Sequence, residues 1–496
     1  MTRDPSLRAL LASLLVIGWD SPEPTPELER LLDQGLGGVI LHSRNVRTAA
    51  QLRRTLATLR EHHGDLVVGV DQEGGRISHL TRADCPESPG AAALAVVDDV
   101  HVTRACAQEL AAHLAGLGID ASYSPVVDVQ SDPDNPIIRT RSFGEDPALV
   151  SRHAVAWIEG TQSLGVAACA KHFPGHGATA VDSHLGDAVD RRDWAQIERV
   201  DLAPFRAAVD AGVAQIMTSH VRFPALDDTP TTLSRRLVTD IARTELGFTG
   251  VIISDALEMA AIAKRVGVVD GAALALAAGV DQLCIAEPDP GLHEQVLDRL
   301  ELAVADGELD VRRLEASSAR IRGMHRAARQ VRERRDETTG PPADARWKDA
   351  GADAARRAVD ATDALPALTR PVVIDLYRRP KPALEWDGWD LATLVRERCD
   401  GADGLSTTSE DLDIGSALEL AAGRSLVLAV QDPLVNPWQQ PLAEEIRRRR
   451  PDLTLVSTGL PDPGTRLCSF GRGSANLVAA AEAIASATGP TDAHPA

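Results

Sequence analysis

Aromatic residues make up only 3% of this 496-residue chain while hydrophobic residues make up 44%, so its cores must be aliphatic, with alanine and valine filling the space. At this length two ordinary cores can still be buried. Basic residues are also short: 52 Lys and Arg stand against 72 Asp and Glu, a formal net charge of −20. Nucleic acid and anionic membrane surfaces need a basic field, which excludes both as main partners. No apolar run approaches the ~18–20 residues of a membrane span. The six cysteines (Cys85, Cys106, Cys169, Cys284, Cys399, Cys468) lack any CxxC spacing. That argues against a zinc site or a disulfide framework and for reduced core cysteines. Basic residues ahead of the apolar run 7–17 imitate a signal peptide, but Arg8 interrupts the run, no small-residue cleavage site follows, and segment 14–20 is needed as a strand. A cytoplasmic protein is the expectation.

What is present has a regular beat. Apolar, mostly β-branched runs at 14–20, 38–42, 66–71, 121–128, 166–171, 215–220, 251–255 and 282–287 alternate with helix-length segments. Each run ends on a charged residue or a histidine: Asp20, His42, Asp71, Asp128, Lys171, His220, Asp255 and Glu287. Eight such units predict an α/β fold, a (β/α)8 TIM-like barrel, whose chemistry collects at the C-terminal rim of the strands. A polar group in mid-strand would instead be buried without a partner.

The barrel is expected over 1–336, followed by a breaker-rich linker at 337–350 and a smaller α/β sandwich domain over 351–496. Strand-like runs at 371–377, 425–430, 453–457 and 466–470 carry the second domain, and the tail after Ala487 reads as disordered. Segment 311–333, with Leu314, Ile321, Met324 and Ala328 on one face, reads as a helical strut between the domains. The Arg447 to Arg450 run closes a helix starting near Pro441, with Glu444 and Glu445 in its first turn, and so complements the helix dipole rather than binding polyanions.

Four segments at strand ends carry chemistry: Asp71-Gln72-Glu73-Gly74-Gly75-Arg76, Arg141-Ser142-Phe143-Gly144-Glu145-Asp146-Pro147, the run from Lys171-His172-Phe173-Pro174-Gly175-His176-Gly177 to Asp182-Ser183-His184, and Ser254-Asp255-Ala256-Leu257-Glu258-Met259. Asp255 directly follows an apolar strand and would face the pocket. In isolation it reads equally as a nucleophile or as an N-cap for the next helix. As a nucleophile it must stay ionised, for which Lys171, His172 and Arg141 are the candidate cations and donors. Asp182 and His184, two apart, can pair so that the carboxylate orients the imidazole and raises its pKa; the plainer alternative is a loop histidine beside a local Asx cap.

Together the four segments resemble the family 3 glycoside hydrolases, and the KHFPGHG…DSH loop resembles their β-N-acetylglucosaminidase branch. The resemblance implies Asp255 as nucleophile and an Asp182–His184 dyad as general acid/base. It further implies Asp71, Arg141, Lys171 and His172 as sugar-holding groups, with Met259 beside the nucleophile. At His79, also placed among the substrate-binding positions, the family commonly has an arginine, which puts a contact to the aglycone or a peptide carboxylate in doubt. His176 and His220 are more ordinary as satisfied supporting histidines.

The resulting expectation is a retaining exo-β-N-acetylglucosaminidase acting on small carbohydrates, β-GlcNAc glycosides of muropeptide or chitooligosaccharide type, with no cofactor and no metal. A metal-dependent hydrolase using Lys171, His172, His184, His220 and Asp255 is disfavoured because Gly18-Trp19-Asp20 brings no histidine pair to the first strand. Two nearer alternatives keep the site. A histidine acid/base has no fixed negative charge to repel phosphate, which would allow a phosphorylase, and a broader family 3 β-glycosidase would use the same nucleophile. A non-catalytic sensor of wall fragments sits poorly with an intact Asp182, His184 and Asp255 set.

Overall fold

Short, fully buried aliphatic runs pair in parallel to form the larger of two sheets. In the computed structural model, which describes residues 4–183, 185–339, 349–360, 362–378 and 389–488, these are β1 (Leu15–Ile17), β2 (Gly38–Leu41), β3 (Val67–Val70), β4 (Ala121–Ser122), β5 (Ala167–Phe173), β6 (Gln215–Thr218), β7 (Val251–Ser254) and β8 (Leu283–Ile285). Their order, β7-β6-β5-β4-β3-β2-β1-β8, is a ring opened between β7 and β8. The Ile253–Gln282 bridge, with Ser254 N–H donating to the Gln282 carbonyl at 2.9 Å, spans that gap. Seven of the eight expected barrel segments contain one of these strands, and the eighth, 166–171, is overrun by β5, which continues to Phe173. The fourth is much shorter than its apolar run, because Pro125 has no N–H to give to the ladder and only the Val126–Lys171 bridge carries the pairing onward.

The apolar run near the N-terminus divides into a helix, Pro5–Ala12, capped by the Asp4 side chain, and β1. Arg8 interrupts the run for a reason of its own: its buried guanidinium meets Glu294, Asp298 and Glu301 on the helix Pro290–Ala305. The helix expected to act as a strut between domains, Val311–Thr339, instead covers the N-terminal mouth of the barrel. Arg332 bonds Asp120 at 2.6 Å just before β4, and Ser317 and Arg320 bond Asp281 at 2.7 and 3.0 Å just before β8. Aspartates at strand starts supplied anchors that the helical periodicity alone could not reveal. The linker expected at 337–350 falls mostly on residues outside those described, as do residues 489–496 of the expected disordered tail.

The second sheet is all parallel, with β9 (Val372–Leu376), β10 (Asp403–Thr407), β11 (Leu426–Val430), β12 (Thr454–Ser457) and β13 (Leu467–Cys468) in the order β10-β9-β11-β12-β13. Alternate side chains feed two cores. Val373, Val427 and Val456 pack with Leu394 and Leu477 on one face, and Ile374, Leu428 and Leu455 pack with Leu442 and Ile446 on the other. Strand β10 was not expected: Asp403-Gly404-Leu405-Ser406-Thr407 lies at the sheet edge, half-exposed, and needs no apolar run. The basic run ends the helix Gln439–Arg449, where Arg448 and Arg449 pair with Glu445. All six cysteines are free. Among the described residues no helix is long and apolar enough to cross a membrane.

Candidate active site

The tips of β3, β4, β5 and β7 bring the predicted polar groups to the C-terminal rim. Lys171, inside β5 and buried, extends its ammonium to Asp71 Oδ1 at 2.5 Å and to Glu73 Oε1 at 2.6 Å. Glu73 accepts a further bidentate pair from Arg141, both contacts at 2.8 Å. Burial alone would raise the Glu73 carboxyl, but the two cations outweigh it and hold Glu73 well below the usual carboxylate range. Burial correspondingly lowers Lys171, yet Asp71 and Glu73 leave it raised overall. The groups expected to keep Asp255 ionised are thus engaged by Asp71, Glu73 and Asp128, because β4 is the neighbour of β5 in the ring and β3 lies just beyond it.

His172 donates from Nδ1 to Asp128 Oδ2 at 2.7 Å, which leaves Nε2 as an acceptor 3.4 Å from an Arg141 Nη. Asp128 also accepts the backbone N–H of His176 at 2.8 Å. One buried carboxylate therefore fixes both the imidazole and the start of the KHFPGHG loop. Gly177 is required there: a Cβ would lie 1.8 Å from the Val129 carbonyl oxygen. Asn135 ties the loop after β4 to it, its amide donating to the carbonyls of His176 and Thr179 at 2.8 and 2.9 Å.

Asp255 follows β7 with its N–H on the Thr218 carbonyl at 3.2 Å, and its Oδ1 accepts the Ala256 N–H at 2.8 Å. It caps no helix. The next helix, Ala260–Ala263, has the buried Met259 at its N-cap instead. His220 braces this tip, linking Thr232 Oγ1 at 2.8 Å to the Ala256 carbonyl at 2.9 Å. Asp182 is buried, and its carbonyl accepts the N–H groups of Leu185 and Gly186. The Ser183 carbonyl receives the Ala261 N–H at 3.4 Å, which stitches this loop to the segment after Asp255. His184 itself lies outside the described residues.

His79 is buried, its Nδ1 3.1 Å from Ser43 Oγ and its ring edge-on to His42 at 5.3 Å. Burial pushes its pKa down, so it is a neutral imidazole and not a substitute for an arginine cation. Its Nε2 has no hydrogen-bond partner among the described residues.

Three acidic groups went unassigned in the sequence. Glu73 lies two residues from Asp71, a spacing that shares one face of an extended segment and was a usable signal. Asp128 ended a predicted strand, a weaker one. Glu258 gave none: burial, with the Asp255 charge adding, pushes its carboxyl up to about 7.

His176 is held between Thr179 Oγ1 at 2.8 Å and Ser183 Oγ at 2.9 Å. Burial first, then the neighbouring His172, lower its pKa to about 4. Because the unfolded chain takes up this proton near pH 6.5, stability falls as pH drops from about 6.5 towards 4, by up to roughly 3 kcal/mol at about 1.4 kcal/mol per pH unit. His176→Gln is expected to flatten that part of the stability profile, measured by urea unfolding at stepped pH. An unchanged slope in the variant would place the acid sensitivity elsewhere.

Residues 7–324 match the family model for the glycosyl hydrolase family 3 N-terminal domain. A β-hexosaminidase of Thiobacillus denitrificans is 40% identical over 283 residues, covering 55% of this chain and 77% of that protein. Another, of Chromobacterium violaceum, is 37% identical over 333 residues, 64% and 93% of the respective lengths. Among solved structures, a glycoside hydrolase family 3 β-N-acetylglucosaminidase from Paenibacillus sp. superposes with a TM-score of 0.86 at 26% identity, covering 97% of each chain. With the family model spanning most of the barrel and the four rim segments meeting on it, the chain belongs to glycosyl hydrolase family 3.

Proposed function

We propose that the chain is a retaining exo-β-N-acetylglucosaminidase that removes terminal β-GlcNAc from peptidoglycan- or chitin-derived fragments. In this reading Asp255 attacks the anomeric carbon while His184, oriented by Asp182, protonates the leaving glycosidic oxygen. His184 then deprotonates water, which attacks the same carbon and releases Asp255. Two inversions give net retention. Asp71, Arg141, Lys171 and His172 hold the sugar hydroxyls, with His79 and Met259 at the wall of the same subsite.

The observation that carries the reading is the Asp71, Lys171, Glu73 and Arg141 network, with Lys171 and Glu73 buried, at the rim that also bears Asp255. Two carboxylates against two cations make a cluster with little net charge, rich in both donors and acceptors. It suits a neutral polyhydroxylated ring better than an anion. The β-hexosaminidase relatives support the N-acetylated sugar.

The test compares kcat for matched aryl β-GlcNAc and β-glucoside substrates, with and without phosphate. If binding of the N-acetyl group is used to complete the catalytic arrangement, the β-GlcNAc substrate should be faster by about tenfold or more in kcat, not only in KM. Equal kcat values would instead support a broader β-glycosidase. A sugar 1-phosphate product would replace hydrolysis by phosphorolysis.

A further inference from the structure

The second domain contacts the turn that carries Arg141 and the loop that carries Glu73. On the Arg141 side, Arg139 opens the 3-10 turn Arg139–Arg141 and sends its guanidinium across the domain boundary to Asp432 Oδ1 at 3.0 Å. These side chains are only 5% and 4% exposed, so the charges are shielded from water and depend on each other. Both residues have left-handed backbones, φ 43° at Arg139 and 44° at Asp432, a conformation that non-glycine residues keep only where their surroundings enforce it. The same Asp432 oxygen accepts the Leu460 N–H at 3.0 Å, and the Arg139 N–H donates to Gln130 Oε1 at 2.7 Å. Each end of the pair is therefore fixed within its own domain.

On the Glu73 side the contact is backbone against backbone. A Cβ on Gly473 would lie 2.7 Å from the backbone of Gly75, two residues beyond Glu73. Gly75 is itself left-handed, at φ 59°, and its N–H bonds the Ser88 carbonyl at 2.7 Å, so the loop has little room to yield. Phe470 and Gly471, which precede this contact, line the same small cleft as Glu73 and Arg141.

We propose that Asp432 and Gly473 are positioning residues of the active site: by bracing the turn that carries Arg141 and the loop that carries Glu73, the second domain sets the geometry of Arg141 and of the carboxylate that holds it. The proposal rests on the reading of Arg141 as a group that contacts the sugar. Neither residue touches substrate. Their effect is on where the Arg141 and Glu73 atoms stand.

The test uses the full chain with Asp432→Asn, Gly473→Ala and, as a reference, Arg141→Lys, each measured well below its melting temperature. The readout is the inhibition constant for free N-acetylglucosamine, which does not depend on the fraction of active protein. A shift of these groups weakens their hydrogen bonds to the ligand, and a rise of about tenfold in the inhibition constant, about 1.4 kcal/mol, is expected for Asp432→Asn and Gly473→Ala. A role confined to stability would lower the melting temperature and leave that constant unchanged. An unchanged constant in either folded variant removes that residue from the proposal. If one variant does not fold, the other decides. If Arg141→Lys also leaves the constant unchanged, the anchoring role of Arg141 fails first and the proposal with it. Loss in Arg141→Lys alone overturns only the bracing.

Discussion

Asp255→Asn is expected to lose turnover by on the order of ten-thousand- to a million-fold with the fold intact, because the amide removes the nucleophile that would form the covalent intermediate. The substitution is nearly isosteric. The amide keeps the volume of the carboxylate, and its oxygen can still accept the Ala256 N–H now seen at 2.8 Å. The tip is held independently, by the Asp255 N–H on Thr218 and by His220 on the Ala256 carbonyl. Circular dichroism and the melting temperature should therefore match the parent within error while kcat collapses. A slow 2-fluoro- or 5-fluoro-glycoside should become covalently attached to Asp255 in the parent, identifiable by peptide mass. Appreciable turnover in the variant, or a label on another residue, would falsify the assignment.

The barrel was legible because a strand buried on both faces must be apolar throughout, and its loops must not be. Eight such runs separated by helix-length segments admit few other folds. Residue types at the rim were legible for a related reason, since a polar residue is tolerated towards the C-terminal end of such a strand, as Lys171 and His172 are in β5, where it can reach partners at the mouth. Partner identity was not. The pairing of Lys171 with Asp71 and Glu73 joins residues about a hundred positions apart, whereas in the sequence Lys171 reads as a candidate cation for Asp255 instead. The bond from Arg139 to Asp432 joins residues in different domains, and nothing local to either marks it.

Two misreadings share a physical cause. Helical periodicity at 311–333 showed that one face would be buried but not against what, and the answer lay in Asp120 and Asp281 at the strand starts. Strand β10 escaped because an edge position half-exposed to water places no demand for apolar residues on its sequence. Both errors come from tertiary placement, which local pattern does not encode.

His184→Ala is expected to slow substrates with poor leaving groups by roughly a hundred- to ten-thousand-fold, the range usual for removal of a general acid, and to affect activated aryl glycosides far less in the glycosylation step. A good leaving group departs as a stable anion and needs little proton transfer, whereas an alkoxide-like leaving group cannot depart without it. The flanking structure is consistent with this part for the residue. Ser183 is pinned by His176 Nε2 at 2.9 Å, and its carbonyl is bonded to Ala261, six residues beyond Asp255. Asp182, next to Ser183, is buried and so is suited to hold an imidazole in one tautomer. Asp182→Asn should follow the same trend more mildly, because the amide still orients the ring but no longer favours its protonated form. The measurement is kcat/KM across aryl β-GlcNAc substrates graded by leaving-group pKa. A steeper dependence in both variants than in the parent is the expected result, and parallel lines displaced equally at every leaving group would assign Asp182 and His184 to binding alone.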